Sequence, residues 1–350
     1  MDIESLDLSD DHSDNSNEDS IDNLENNTRD WKISYYEEKN FWDKALENKW
    51  TYNSKLCPLC NIGQSEIKEN NPNNLINPYY LRCSNTKCRR KYSLRYFSIF
   101  KLFRKIPASV IYKILELFIV KKQNAKEITA EIKNIYNKKV KYEAINKTIG
   151  KLRQIITEFI KIKYRKYNIG GFDQNNNQRI VAIDESLFTH DELGQVWVVG
   201  GVDTCLKNIR LDILRIRNSA NISTFIYNHF KEGTHFTHDG WRGYDFLDND
   251  INFTHETHNH GAGDFGLGER STSHIESLWA EIKREFFSIY GIIPMNNFIY
   301  FLREIEFRVI IKKQGDAEKI KPFFECSKMV YEACKFNFSS KTDIENFNNY

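Results

Sequence analysis

RIVAIDESLF, residues 179–188, reads as a β-strand whose apolar run is interrupted by one carboxylate, Asp184. Residues 195–203 (QVWVVGGVD) and 208–217 (NIRLDILRIR) follow as two more apolar or alternating runs. Short polar turns separate the three, as in an antiparallel meander. Downstream, the pattern predicts a helix over 221–231, a fourth strand at 234–238 and a short helix near Tyr244. A fifth strand at 251–254 and a helix over 274–290 complete the run.

Three strands, helix, strand, helix, strand, helix is the order of a ribonuclease-H-like domain with a mixed five-stranded sheet. Three acids sit where chemistry would need them. Asp184 breaks the first strand, Asp239 ends the fourth just before Gly240-Trp241, and Glu276 opens the last helix. Carboxylates on adjacent strands and a facing helix can hold two divalent metals that act on a phosphodiester. Lys283 lies seven positions after Glu276, two helical turns on and on the same face, where its ammonium can reach a phosphate. Each acid also has a plainer reading: Asp239 before glycine as a turn former, Glu276 as a complement to the helix dipole. The histidines at 255, 258 and 260 match no common metal spacing, and strand alternation alone puts His258 and His260 on one face. Residues 261–268 (GAGDFGLG) are glycine-rich enough to serve as a substrate flap.

Four of the seven cysteines lie within 32 residues, as Cys57-Pro-Leu-Cys60 and Cys83-Ser-Asn-Thr-Lys-Cys88. Two short-spaced pairs joined by a hairpin-length segment bring four thiolates around one tetrahedral zinc ion. Disulfides are the alternative, against which the odd total counts. Cys205, Cys326 and Cys334 have no motif spacing and read as buried thiols. Between residues 84 and 105, Lys87, Arg89, Arg90, Lys91, Arg95, Lys101, Arg104 and Lys105 occur with no acid, interleaved with Tyr92, Tyr96, Phe97, Phe100 and Phe103. A one-signed stretch of this kind is the footprint of phosphate binding, its aromatics either packing the ribbon or stacking on bases.

From Pro107 the period becomes helical. Val110, Ile114, Leu117 and Phe118 share one face of a first helix, and Ile128, Ile132 and Ile135 mark a second. Ile145, Ile149, Leu152, Ile156, Phe159 and Ile160 stripe a third. Three helices, with fourteen Lys or Arg against four Glu between 121 and 166, suit either a helix-turn-helix unit or a plain basic bundle. Residues 168–178 (NIGGFDQNNNQ) read as a linker.

The 350 residues, 40% hydrophobic and 14% aromatic, suffice for two or three compact units. Apolar stretches such as 196–202 are far shorter than the roughly 20 residues of a membrane span, and the acidic start does not resemble a signal peptide. The net charge of +2 conceals an asymmetry. Residues 1–30 carry eleven acids and only Arg29, a balance of −10, which leaves +12 on the rest. The expectation is a disordered acidic tail ahead of a basic folded body.

The whole resembles the Merlin-type DDE transposases, eukaryotic relatives of bacterial insertion-sequence transposases with an amino-terminal zinc ribbon. The resemblance spans roughly residues 50–312. It is carried by CPLC…CSNTKC followed by KYSLRYFSIF, by VAIDES, by HDGWRGY and by STSHIESLWAEIKREF. It implies an α+β multidomain chain: a zinc ribbon at 50–105, a helical DNA-binding region at 107–167, a linker at 168–178, a ribonuclease-H-like catalytic domain at 179–312 and a carboxy-terminal extension at 313–350. By the same resemblance Cys57, Cys60, Cys83 and Cys88 bind one structural zinc, and Asp184, Asp239 and Glu276 bind two Mg2+ or Mn2+ ions. Lys283 contacts phosphate. Relatives often carry a polar residue just before the Ile-Glu, where Ser273 and His274 stand here, so His274 and Glu276 are both candidates for the third ligand. The implied partners are double-stranded DNA, as element ends and target site, and further copies of the chain. The implied location is the nucleus of a eukaryotic cell, or otherwise the cytoplasm. A DNA-binding regulator without catalysis and a ribonuclease-H-type nuclease are the rival readings.

Overall fold

The computed structural model describes residues 31, 33–51, 56, 57, 59–72, 77–103, 106–138, 140–163, 169–191, 194–259, 262–285, 295–312 and 320–334. The acidic stretch 1–30, Arg104, Lys105, His260, Gly261, residues 286–290 of the expected last helix, and 313–319 and 335–350 of the extension lie outside these.

The described chain begins with a helix that the hydrophobic pattern had not indicated, α1 (Tyr35–Glu47). Its start is a capping box: the Ser34 hydroxyl accepts from the Glu37 amide and the Glu37 carboxylate accepts from the Ser34 amide. Strands β1 (Ser65–Glu69), β2 (Tyr79–Cys83) and β3 (Lys91–Ser93) form a small antiparallel sheet, and two 3-10 turns, Leu94–Phe97 and Ile99–Phe103, lead out of it. Helix α2 (Ala108–Leu115) continues into a π-turn, Glu116–Val120, before α3 (Ala125–Tyr136) and α4 (Tyr142–Lys163). Trp42, Phe100, Ile111, Ile128 and Ile156, drawn from all these parts, share a single core.

Glu38 of α1 is wholly buried within it. Its carboxylate accepts from the amides of Ala108 at 2.7 Å and Ser109 at 3.1 Å, which caps α2, and from the Trp42 indole at 3.2 Å. Arg95 pairs with it at 3.5 Å and donates onward to the carbonyls of Phe103 and Ile106. One acid therefore joins α1, the turns after β3 and α2.

The second half begins with β4 (Ile169–Gly170), β5 (Ile180–Asp191), β6 (Gly194–Asp203) and β7 (Ile209–Leu214). Then come α5 (Ser219–His229), β8 (Phe230–Lys231), β9 (His235–His238), a 3-10 helix at Arg242–Asn249, β10 (Thr254–Thr257), α6 (Ser273–Glu285), α7 (Met295–Ile311) and α8 (Ile320–Cys334). Five strands make one sheet in the order β10-β9-β5-β6-β7. β5, β6 and β7 are the antiparallel meander, while β9 runs parallel to β5 and β10 parallel to β9. This is the mixed sheet of a ribonuclease-H-like fold. Alternation along β5 divides the faces: Val181 and Ile183 pack with Ile222, Phe225 and Tyr244, whereas Ala182 and Phe188 pack with Ile275, Trp279 and Phe298 of α6 and α7.

The structure adds to or departs from the sequence reading elsewhere too, and Cys205, read as a buried thiol, is exposed. The stretch read as a linker contains β4, which pairs in parallel with β8 and buries Ile169, so it belongs to the sheet half. The fifth strand lies at 254–257, not 251–254. Ile251 is 96% exposed in the preceding turn and Phe253 enters the core, so parallel pairing with β9 starts only at Thr254. The carboxy-terminal extension is not peripheral, because α8 places Phe323, Phe324 and Val330 in the amino-terminal core. Phe324 stacks on Trp50 with centroids 4.5 Å apart.

Helix α7 lies between the halves with charges buried on both flanks. On one, Glu304 accepts from Arg153 of α4 at 2.7 Å and from Arg308 at 2.6 Å, and Arg308 also donates to the Phe118 and Ile119 carbonyls of the π-turn. On the other, Glu306 accepts from the Leu211 amide of β7 at 2.8 Å and from Arg303 and Arg210.

Replacing Glu38 by Ala leaves the buried Arg95 guanidinium and two helix amides without their acceptor. The expected cost is about 3 kcal/mol, read as a lower midpoint in urea unfolding followed by tryptophan fluorescence. An unchanged midpoint would refute the role given to Glu38.

Candidate active site and metal centre

Asp184 sits in the middle of β5 on the face covered by α6. Pairing between β5 and β9 runs from Ile180 opposite His235 to Ala182 opposite Thr237. Two residues beyond that pairing, where the ladder has ended, come Asp184 on β5 and Asp239 just after β9. Burial pushes the Asp184 carboxyl up to about 7, with further upward contributions from Glu185 and Asp239; a hydrogen bond from Trp279 opposes them. Asp239 lies just beyond β9 and its Oδ1 accepts from the Trp241 amide at 3.0 Å, so the following Gly-Trp turn fixes its carboxylate.

Helix α6 presents Glu276, Trp279 and Lys283 at helical spacing. The Trp279 indole N–H donates to Asp184 Oδ2 at 3.1 Å. The ring fits because Gly200, directly across the ladder from Asp184, has no side chain; a Cβ there would lie 2.7 Å from Trp279 Cη2. Lys283 lies 5.6 Å from the centre of the Phe188 ring, near the far end of β5. The ring nitrogens of His274 are already engaged, Nε2 with the Gly268 carbonyl at 3.0 Å and Nδ1 with the Lys207 ammonium at 3.3 Å. The structure thus brings Asp184, Asp239 and Trp279 together and places Glu276 one turn before Trp279. The three acids are not gathered as a ready ligand set: among the described residues only the cysteines are so gathered. A carboxyl raised chiefly by burial, and further by Glu185 and Asp239, is nonetheless a group whose ionised form a divalent cation would stabilise.

Sequence reasoning gave no role to the layer behind these acids. Glu185 points to the opposite face, where Oε2 accepts from Arg217 at 3.0 Å and Oε1 accepts from the Tyr244 hydroxyl. Burial raises the Glu185 carboxyl, and its two partners pull it back. The Arg217 guanidinium lies 4.0 Å from the Trp241 ring centre and 4.9 Å from that of Trp197. His238 stacks on Tyr244, and the chain His238 Nε2 to His255 Nδ1 at 2.9 Å and His255 Nε2 to Asp248 at 3.0 Å runs outward from it. The available signals were the paired glycines at 200 and 201 inside an apolar strand and the tyrosine closing HDGWRGY.

In the amino-terminal half the sulfurs of Cys57, Cys60, Cys83 and Cys88 all lie within 4.8 Å of one another. Cys60 and Cys83 are 3.6 Å apart, close to the ligand separation expected around a tetrahedral zinc with bonds of about 2.3 Å. Amides of Gly63 and Ile62 pull the Cys60 thiol down, whereas burial pushes its neighbour Cys83 up to about 12, so of this pair Cys60 ionises first. Gly63 is needed because a Cβ there would lie 2.4 Å from Cys83 Sγ. The basic stretch divides in two. Lys87, Arg89, Arg90 and Lys91 are exposed on the ribbon, together with Arg82. Arg95 is not a surface cation, being turned inward to Glu38, and Phe100 and Phe103 fill the core in place of stacking on a partner.

With its carboxyl raised by burial to about 7, Asp184 is expected, in magnesium-free buffer, to be protonated in the folded chain and ionised in the unfolded one between about pH 4 and about 7. Its contribution to stability is full below that window and lost as pH rises through it. The melting temperature of the native chain relative to Asp184→Asn is expected to fall across the window; a difference that does not change with pH would contradict this environment. Cys57→Ser is expected to lose zinc measured by atomic emission, and a full equivalent retained would exclude the quartet as the site.

Residues 170–309 match the family model described as the ISXO2-like transposase domain. No curated protein matches the chain. Among solved structures, a chain of the simian T-cell lymphotropic virus intasome in complex with PP2A regulatory subunit B56 gamma is 16% identical, with a TM-score of 0.28. That match covers 39% of this chain and only 51% of the other. The HTLV-2 integrase catalytic core domain in complex with magnesium is 14% identical over 39% of this chain and 86% of that one, TM-score 0.26. The BIV integrase catalytic core domain is 13% identical over 43% and 97%, TM-score 0.28. Over residues 170–309, the stretch that holds Asp184, Asp239 and Glu276, the chain is similar to the ISXO2-like transposase domain family.

Proposed function

We propose that this protein is a DNA transposase that binds the inverted ends of its element, cuts them and joins them to a target. The observation that supports the reading is the pair Asp184 and Asp239, each two residues beyond the paired stretch of β5 and β9, with the Asp184 carboxyl raised to about 7 by burial and by Glu185 and Asp239. Asp184 and Asp239, with Glu276 from the facing helix, would hold two Mg2+ or Mn2+ ions. Such ions, when bound, activate the attacking oxygen and stabilise the leaving one. The engagement of both His274 nitrogens favours Glu276 as the third ligand.

The chain's own groups have distinct tasks in this reading. The Trp279 indole fixes one oxygen of Asp184, leaving the other for a ligand. Lys283 would neutralise a phosphate beside the acids. In the first step water attacks the phosphorus, the bond from phosphorus to the 3′-oxygen breaks, and a 3′-hydroxyl and a 5′-phosphate result. In the second, that 3′-hydroxyl attacks a target phosphodiester and displaces another 3′-oxygen. The cysteine quartet would hold one zinc in place of a larger core, presenting Arg82, Lys87, Arg89, Arg90 and Lys91 to DNA phosphates. Joining two ends calls for at least two copies of the chain, and the implied site of action is the nucleus.

The test is to incubate the purified protein with a plasmid carrying its gene and genomic flanks, with Mg2+ or Mn2+, and to map every new 3′ end. Paired cuts at inverted repeats are expected, and they should vanish in Asp239→Ala while end binding persists. Cuts that survive in that variant would overturn the assignment, and binding without cuts would favour the regulator.

A further inference from the structure

The backbone ladder does not reach the two acids. β5 and β9 are paired only from Ile180/His235 to Ala182/Thr237, two residues short of Asp184 and Asp239. The next residues on both strands therefore lack the hydrogen bonds that hold neighbouring strands at constant spacing, and their separation must be fixed by side chains.

On the active face Trp279 donates to Asp184. Behind the sheet there is a link to both strands. Glu185 follows Asp184 and His238 precedes Asp239, and strand alternation turns both to the rear face. Tyr244 stands between them. Its hydroxyl donates to Glu185 Oε1, and its ring stacks on the His238 imidazole with centroids 4.4 Å apart and planes at 28°. Tyr244 is 1% exposed, Glu185 6% and His238 3%, so none has water as a substitute partner. Both anchors are themselves secured: Glu185 by Arg217 through its other oxygen, and His238 by the Gly240 amide on Nδ1 and by His255 on Nε2. Because the Gly240 amide occupies Nδ1 as an acceptor, Nε2 carries the proton and donates to His255, which leaves the His238 ring neutral and fixed in orientation.

We propose that Tyr244 is a positioning residue that sets the separation of Asp184 and Asp239 from behind the sheet, and thereby the affinity of the acids for a divalent cation. This rests on the transposase reading of that site. Removing the hydroxyl frees Glu185 Oε1 inside the core and releases β5 from β9 at the point where the ladder has ended. Supporting residues of this kind typically alter metal affinity 10- to 100-fold when lost.

The experiment measures Mn2+ binding to the zinc-loaded full-length protein by electron paramagnetic resonance of the free ion, without DNA or catalysis. Tyr244→Phe is expected to weaken Mn2+ binding by about tenfold. Glu185→Met, which removes the acceptor, should weaken it as well, and the double variant by no more than the larger single loss, since both interrupt one link. Ile222→Val, a core change on the same rear face, controls for loosened packing and should bind Mn2+ as the native chain does. Native affinity in Tyr244→Phe, additive losses in the double variant, or an equal loss in Ile222→Val would each overturn the proposal. Asp184→Asn separates this from the functional reading. If it loses Mn2+ while Tyr244→Phe does not, only the brace fails; if it binds Mn2+ normally, the metal site and the brace fail together.

Discussion

Four charges buried on one helix, Arg303, Glu304, Glu306 and Arg308 of α7, hold the two halves of the molecule in a single arrangement. An ion taken out of water must find its partners, and an unpaired one costs several kcal/mol. Glu304 and Arg308 find theirs on α4 and the π-turn, Glu306 and Arg303 on β7. A slide of one half against the other would strand charges on both flanks at once. An apolar seam would tolerate such a slide, because dispersion contacts lack direction. The ribbon's exposed cations and the acid-bearing sheet therefore keep one mutual orientation without any bound partner.

The active face shows how a fold carries a carboxylate where apolar packing would exclude one. Asp184 displaces no core residue, because the space over its strand neighbour Gly200 is filled by the Trp279 ring, whose one polar atom is spent on that acid. The sheet thus keeps its packed interior up to the edge of the site. The rear face does the same with Glu185, whose charge is met by a guanidinium and a phenol.

Much of this was legible in local pattern. The meander announced itself through three alternating runs, Asp184 by breaking one of them and the cysteine quartet by spacing. What escaped depends on partners far apart in the chain. Nothing near Arg95 indicates that it turns inward, because its partner Glu38 lies 57 residues earlier. The stretch 168–178 has a linker's composition, yet Ile169 pairs with Phe230 sixty residues on. β10 was misplaced by three residues because its four residues, THET, carry no apolar alternation and the conspicuous Ile251 faces water. Glu185 and Tyr244 were in view within VAIDES and HDGWRGY, but the contact between them exists only once the sheet has formed.

The packing of α8 into the amino-terminal core has a consequence for how the molecule comes into being. Trp50, Tyr112 and Phe100 surround a ring, Phe324, that is synthesised 274 residues after Trp50. The aromatic cleft around Trp50 is therefore completed only by a helix made after the five-stranded sheet. A message truncated before codon 320 yields a chain whose leading half keeps an open aromatic cleft, a substrate for chaperones and proteases.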